Sequence, residues 1–234
     1  MNLTEIKKEI KKNANPQKAV LLQRFFKTGP GEYGEGDKFL GIMVPVQRSI
    51  AKKYKELSLK DIRELLNSNI HEERLIALLI LVEQFKKGDE QLKEEIFTFY
   101  HLYRKKINNW DLVDLTAHII SGSYLMDKDK SILYKLAESK NIWDRRIAVL
   151  STFHFIKNNV FADALCIAEI LLIDKHDLIQ KAVGWMLREI GNRDINTEEG
   201  FLEKNYKKMP RTMLRYAIEK FPEQKRLAYL KGTI

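Results

Sequence analysis

A small residue recurs through this chain at a spacing that few folds can use. Alanines followed by aliphatic side chains stand at Ala77, Ala117, Ala148, Ala182 and Ala217, separated by 40, 31, 34 and 35 residues. Around them apolar positions return with helical period, as in Arg74-Leu75-Ile76-Ala77-Leu78 and Arg145-Arg146-Ile147-Ala148-Val149. A unit of that length holds two helices and their short loops, and an alanine at a fixed point lets helices of successive units approach closely. The pattern predicts an all-α chain of the HEAT-like helical-repeat class. It would be a right-handed superhelix (α-solenoid) of six or seven helix pairs, with a concave face for an elongated partner. The 234 residues hold five prolines and no flexible linker, so residues 1–234 read as a single domain.

Local signals agree with helices. Leu3, Ile6 and Ile10 against Lys7, Lys8, Lys11 and Lys12 predict an amphipathic helix over 3–13 with a basic outer face. Asn15-Pro16 is an N-cap followed by a first-turn proline, and opens a helix to about Lys27 carrying Val20, Leu21, Leu22, Phe25 and Phe26. The segment 28–37 then gathers four of the eleven glycines, which predicts a tight turn, loop or short hairpin. It lacks the Lys-Ser/Thr of a phosphate-binding loop, and Glu32, Glu35 and Asp37 would repel phosphate. It is either a plain structural turn or a finger that touches a partner. Beyond it, Pro45 and Ser58 open helices, and 72–87 stops at Gly88. Further helices are expected at 90–105, 109–122, 129–139, 142–157, 161–173, 177–191, 197–208, 210–220 and 223–231.

Charge and composition narrow the function. Lys plus Arg number 41 against 32 Asp plus Glu, a net charge of +9, which suits an anionic partner, nucleic acid being the commonest, or describes a merely basic protein. The single Cys166 lies in Ala164-Leu165-Cys166-Ile167-Ala168 and reads as a small buried hydrophobe in a reducing compartment. The five histidines show no metal-ligand spacing, so no metal or other cofactor is expected. No Gly-x-Ser-x-Gly elbow is present. The N-terminus is too polar for a signal peptide and no apolar run could span a bilayer, so the expectation is a cytoplasmic monomer with no membrane partner.

The stretch with most chemistry is Asn109-Trp110-Asp111-Leu112-Val113-Asp114. Trp110 and Asp114, four apart on a helix, share a face, so an aromatic surface lies one turn from a carboxylate. The ring can attract a cation and the carboxylate can stabilise developing positive charge. The plainer alternative is a core tryptophan with an aspartate at the rim. The other tryptophans also lie near charge: Trp143 beside Arg145 and Arg146, Trp185 beside Lys181 and Arg188. All three are placed near helix starts and near the recurring alanine, which would aim them toward one face. Arg146, Lys181, Arg188, Arg211 and Arg215 stand at the same points and are candidates for phosphate contact, with Trp143 beside them.

On these segments the chain resembles the bacterial DNA alkylation repair glycosylases of the AlkD type. The matching motifs are 110–114, Asn141-Ile142-Trp143-Asp144-Arg145-Arg146-Ile147-Ala148 and Gln180-Lys181-Ala182-Val183-Gly184-Trp185-Met186-Leu187-Arg188-Glu189, within a likeness running from about 38 to 220. The resemblance implies a HEAT-like superhelix cradling double-stranded DNA and a monofunctional glycosylase that excises positively charged N3- and N7-alkylated purines without extruding the base. It also implies that Asp114 is the catalytic carboxylate, that Trp110 and Trp185 flank the lesion, and that Arg146 contacts the backbone. Two features depart from the pattern. Phe25 stands where family members often carry Tyr. The glycine-rich insertion 28–37 looks like that of paralogous branches, which implies the alternative of a non-catalytic protein that recognises bent, damaged or branched DNA.

Overall fold

The computed structural model describes residues 2–234. The described chain is all-α, and its only β feature is an isolated parallel bridge between Lys38 and Ile70. Its backbone contacts divide it into two compact units, one ending at Thr116 and one beginning at Ala117.

The first unit contains α1 (Leu3–Lys12), α2 (Pro16–Phe25), α3 (Val44–Lys53), α4 (Leu59–Leu66), α5 (His71–Lys87), α6 (Glu90–Leu102) and the short α7 (Trp110–Asp114). Side chains of Asn2, Asn15, Ser58, Asp89 and Asn109 accept backbone N–H groups at the starts of α1, α2, α4, α6 and α7, which satisfies donors a helix cannot satisfy itself. The centre is α5, buried along most of its length from His71 to Val82 and packed by α3, α4, α6 and α7. It stops at Gly88 as expected, with an extended backbone there (φ −71°, ψ 152°).

In contrast, α2 contributes no buried residue, and Val20, Leu21 and Phe25 remain 63%, 65% and 63% exposed. It is held by its backbone. Asn15 donates its N–H to the Leu40 carbonyl, and Gly41 (φ +82°) lies so close that a Cβ there would sit 2.1 Å from the Asn15 oxygen.

The second unit contains a π turn (His118–Gly122), α8 (Ser131–Ala137), α9 (Ile142–Lys157), α10 (Ala162–Ile170), α11 (Asp177–Gly191), α12 (Ile195–Asn205), α13 (Arg211–Ala217) and α14 (Glu223–Lys231). The π turn, α9, α11 and α13 pack in succession, each against the next. The recurring alanines explain this. Ala148, Ala182 and Ala217 are fully buried, as are Ala117 and Ala77. At two points even a methyl is too large: a Cβ on Gly122 would meet the Ser151 carbonyl at 2.2 Å, and one on Gly184 the Met213 carbonyl at 2.4 Å. The expected helical-repeat class is therefore observed.

Two local expectations are corrected, for 109–122 and for Cys166. The segment 109–122 is not one helix. It ends at Asp114, the Thr116 hydroxyl turns back onto the Leu112 carbonyl, and a wider π turn follows, bringing Gly122 onto α9. Of the alternatives expected for 28–37, a turn, a loop or a short hairpin, the structure shows a loop of successive turns. Cys166 is exposed, because α10 buries Ala164, Ile167 and Ala168 on a stripe that Cys166 misses.

Candidate functional site

The helix α7 is five residues long, and its burial pattern sorts its side chains. Asp111, Leu112 and Val113 are buried, while Trp110 and Asp114 are half-buried on the remaining face. The i,i+4 spacing thus leaves an indole and a carboxylate together at the surface of the first unit. Asn109, fully buried, accepts the Trp110 N–H at 2.8 Å and sets where the helix begins. Phe26 lies nearly parallel to the Trp110 ring (5.1 Å, 14°) and Phe25 meets it edge-on (5.9 Å, 73°). The stack continues inward: Phe26 lies on Phe39 (4.9 Å) and Phe39 on His71 (4.5 Å).

Beneath the stack lies a buried ionic network that local patterns did not reveal. His71 is 1% exposed, and its Nδ1 and Nε2 stand 3.0 Å from Asp37 Oδ2 and 2.8 Å from Asp111 Oδ2. Arg74 donates to Asp37 Oδ1 at 2.7 Å and to the Ser68 carbonyl at 3.1 Å. Asn109 Nδ2 reaches Asp37 at 3.4 Å. Burial opposes charge on His71, but the hydrogen bonds to Asp111 and Asp37 outweigh it and hold its pKa above the ordinary value. Burial likewise raises the carboxyl pKa of Asp37, and His71 and Arg74 overcome this to leave it below the usual range. Next to it, the buried carboxylate of Glu72 accepts the N–H groups of Leu40, Gly41 and Ile42 at 2.8–3.1 Å. Asp37 ends the glycine-rich segment, so that segment is fastened to α5 and α7. Its tip carries exposed Glu32 and Glu35, whose carboxylates accept N–H groups of Gly29 and Gly31 from the same loop. An acidic, self-bonded tip does not suit a finger for DNA.

In the second unit, Trp185 is half-buried in the middle of α11, not near its start. Its Nε1 donates to Glu189 at 3.2 Å, and its ring lies 5.7 Å from Phe153. Lys157 Nζ stands 4.1 Å over the Phe153 ring, and Arg193 pairs with Glu189 at 3.0 Å. Burial, then the Arg193 charge, lowers the Lys157 pKa against the opposing pull of Glu189. This aromatic surface flanked by two cations was visible only once α9 and α11 were packed.

The other predicted residues divide by exposure. Trp143 is 7% exposed and belongs to the core of α9, with its N–H held by Asn141 Oδ1 at 2.8 Å. Arg146 is 5% exposed and donates to the Leu178 carbonyl, fastening the start of α11 to α9. The motif around them is thus a staple: Asp144 accepts from Ser139 at 2.9 Å and Arg145 pairs with Asp174 at 2.7 Å. Lys181 pairs with Asp177 at 2.8 Å, and Arg188 with Glu219. Arg211 and Arg215 are exposed, Arg211 donating to the Leu230 carbonyl at 2.7 Å. Among the described residues, no group of His, Cys, Asp and Glu has the arrangement of a metal site, and no helix is long and apolar enough to cross a membrane.

A model of the family described as DNA alkylation repair enzyme matches residues 6–221. No curated protein matches the sequence. A solved structure described as a predicted DNA alkylation repair enzyme from Enterococcus faecalis is similar in fold: its TM-score is 0.70 at 15% identity, over 90% of this chain and 98% of that one.

Proposed function

The chain belongs to the DNA alkylation repair enzyme family, and from that premise we propose that it is a monofunctional DNA glycosylase that releases N3- and N7-alkylated purines from duplex DNA. The observation that carries this reading is the sorting of α7, which leaves Trp110 and Asp114 together at the surface while burying the three residues between them. An alkylated purine carries formal positive charge and departs neutral, so its release needs no protonation. Positive charge then develops on the sugar, as in glycoside hydrolysis. A carboxylate about 4 Å from that charge, at an effective dielectric near 20, contributes about 4 kcal/mol. The Trp110 face adds ~1–2 kcal/mol of attraction for the charged base. Asp114 is the catalytic carboxylate of this proposal and Trp110 the lesion-facing ring.

In the second unit, Trp185 offers an aromatic surface to nucleic acid, and Lys181, Arg188, Arg211 and Arg215 are its phosphate contacts. The buried Trp143 and Arg146 hold that surface in place. A duplex carrying one 7-methylguanine tests the proposal: released base is expected to accumulate in proportion to protein. Binding of the duplex with no release would sink the glycosylase reading and favour the non-catalytic one. The Phe26 ring, which already covers one face of Trp110, gives that second reading its one specific support.

A further inference from the structure

We propose that the glycine-rich segment 28–37 is a latch on the Trp110–Asp114 helix, and that a doubly protonated His71 is the positioning residue that closes it. Both ring nitrogens of His71 face carboxylate oxygens, Asp37 at the end of the segment and Asp111 on α7. A carboxylate only accepts, so both nitrogens carry hydrogen and the ring is an imidazolium. A cation at the first residue of α5 is opposed by the helix dipole, and the two carboxylates offset that opposition.

The charged groups acting on His71 are Asp37 from the loop, Asp111 from α7 and Arg74 from its own helix. Arg74 and Asn109 complete the closure, because both bond Asp37 while Asn109 also caps α7. The aromatic column His71–Phe39–Phe26–Trp110 runs alongside, with Phe26 just before the segment and Phe39 just after it. Closing the latch therefore fixes both the rings that pack on the indole and the helix that carries the carboxylate.

A neutral His71 has one N–H and must surrender one carboxylate, so the latch is pH-sensitive. Its folded pKa is raised, so its stabilisation is complete below the ordinary histidine value and is lost as pH rises through the folded one. The functional consequence rests on the glycosylase reading; the latch does not.

The test uses the full chain with 15N-labelled histidine. His71 is expected to show two protonated ring nitrogens at pH 7, and Asp111→Asn to lower the pH at which one is lost. His71→Gln, whose one amide nitrogen replaces only one of the two ring nitrogens, is expected to speed amide exchange in 28–37 by about ten- to a hundredfold, with α9 and α11 unchanged. In the same variant the single-turnover release of 7-methylguanine is expected to fall about tenfold with duplex affinity preserved, which separates positioning from binding. A singly protonated His71 at pH 7 overturns the proposal. So does His71→Gln with unaltered exchange in 28–37, or with acceleration spread evenly over the chain. If the parent releases no base while the nitrogen and exchange results hold, the glycosylase reading fails and the latch stands.

Discussion

Gly184 offers the sharpest test of how the repeat is packed. It lies in α11 one residue before Trp185, and a Cβ there would stand 2.4 Å from the Met213 carbonyl, 2.6 Å from Tyr216 Cβ and 3.2 Å from the Ala217 nitrogen. Two of these atoms are backbone and the third is fixed to it, so no side chain can swing away. Carbon contacts are comfortable near 3.5–4 Å, so Gly184→Ala must push α11 and α13 apart by about 1 Å where Met213, Leu214 and Ala217 form the core. Overpacking of this kind costs about 1–3 kcal/mol, while alanine gains ~0.8–1 kcal/mol over glycine inside a helix.

Gly200→Ala in α12 is the control. Nothing lies within 4 Å of the added methyl there, so it keeps the propensity gain without the clash. The two variants should differ by about 1–3 kcal/mol in urea unfolding, or roughly 2–12 °C in Tm for a chain of this size. Near-ultraviolet circular dichroism should register the disturbed Trp185 in Gly184→Ala alone. Equal stability of the two variants would refute the close approach of α11 and α13, and with it the reason the repeat carries small residues.

Glu72→Ala removes the acceptor of three backbone N–H groups and should destabilise by about 3–5 kcal/mol, read by urea unfolding. Asp114→Asn should slow 7-methylguanine release by about two to three orders of magnitude with duplex affinity nearly intact, because the sugar carries strong positive charge only in the transition state. Arg215→Ala should flatten the slope of log affinity against log salt by about one unit without altering Tm. Glu198 is 2% exposed, and burial, then the Glu199 charge, pushes its carboxyl up to about 8 against the pull of Arg188. The folded state holds that proton more tightly than the unfolded state, so the group costs stability as pH rises from the unfolded value toward 8. Glu198→Gln should therefore stabilise at pH 7 by up to about 3 kcal/mol and gain nothing below pH ~4 in thermal unfolding.

What the sequence determined by itself is what repeats within one or two helical turns. The bounds 142–157 and 177–191 agree with α9 and α11, because capping residues and apolar period are written into neighbouring positions. The recurring alanines named the buried contacts, and four-residue spacing placed Trp110 and Asp114 on one face. Tertiary structure alone decided the rest. His71 meets partners 34 and 40 residues away, a separation at which no periodicity speaks, so the glycine-rich segment could not be recognised as fastened to α7. Exposure was also settled by neighbours. Trp143 and Arg146 share motif and spacing with surface candidates, yet α9 is buried over most of its length and takes them inside. Cys166 sits among apolar residues but one step off the buried stripe of α10. Apolar character is a property of a residue, whereas burial belongs to the side of the helix that another helix happens to cover.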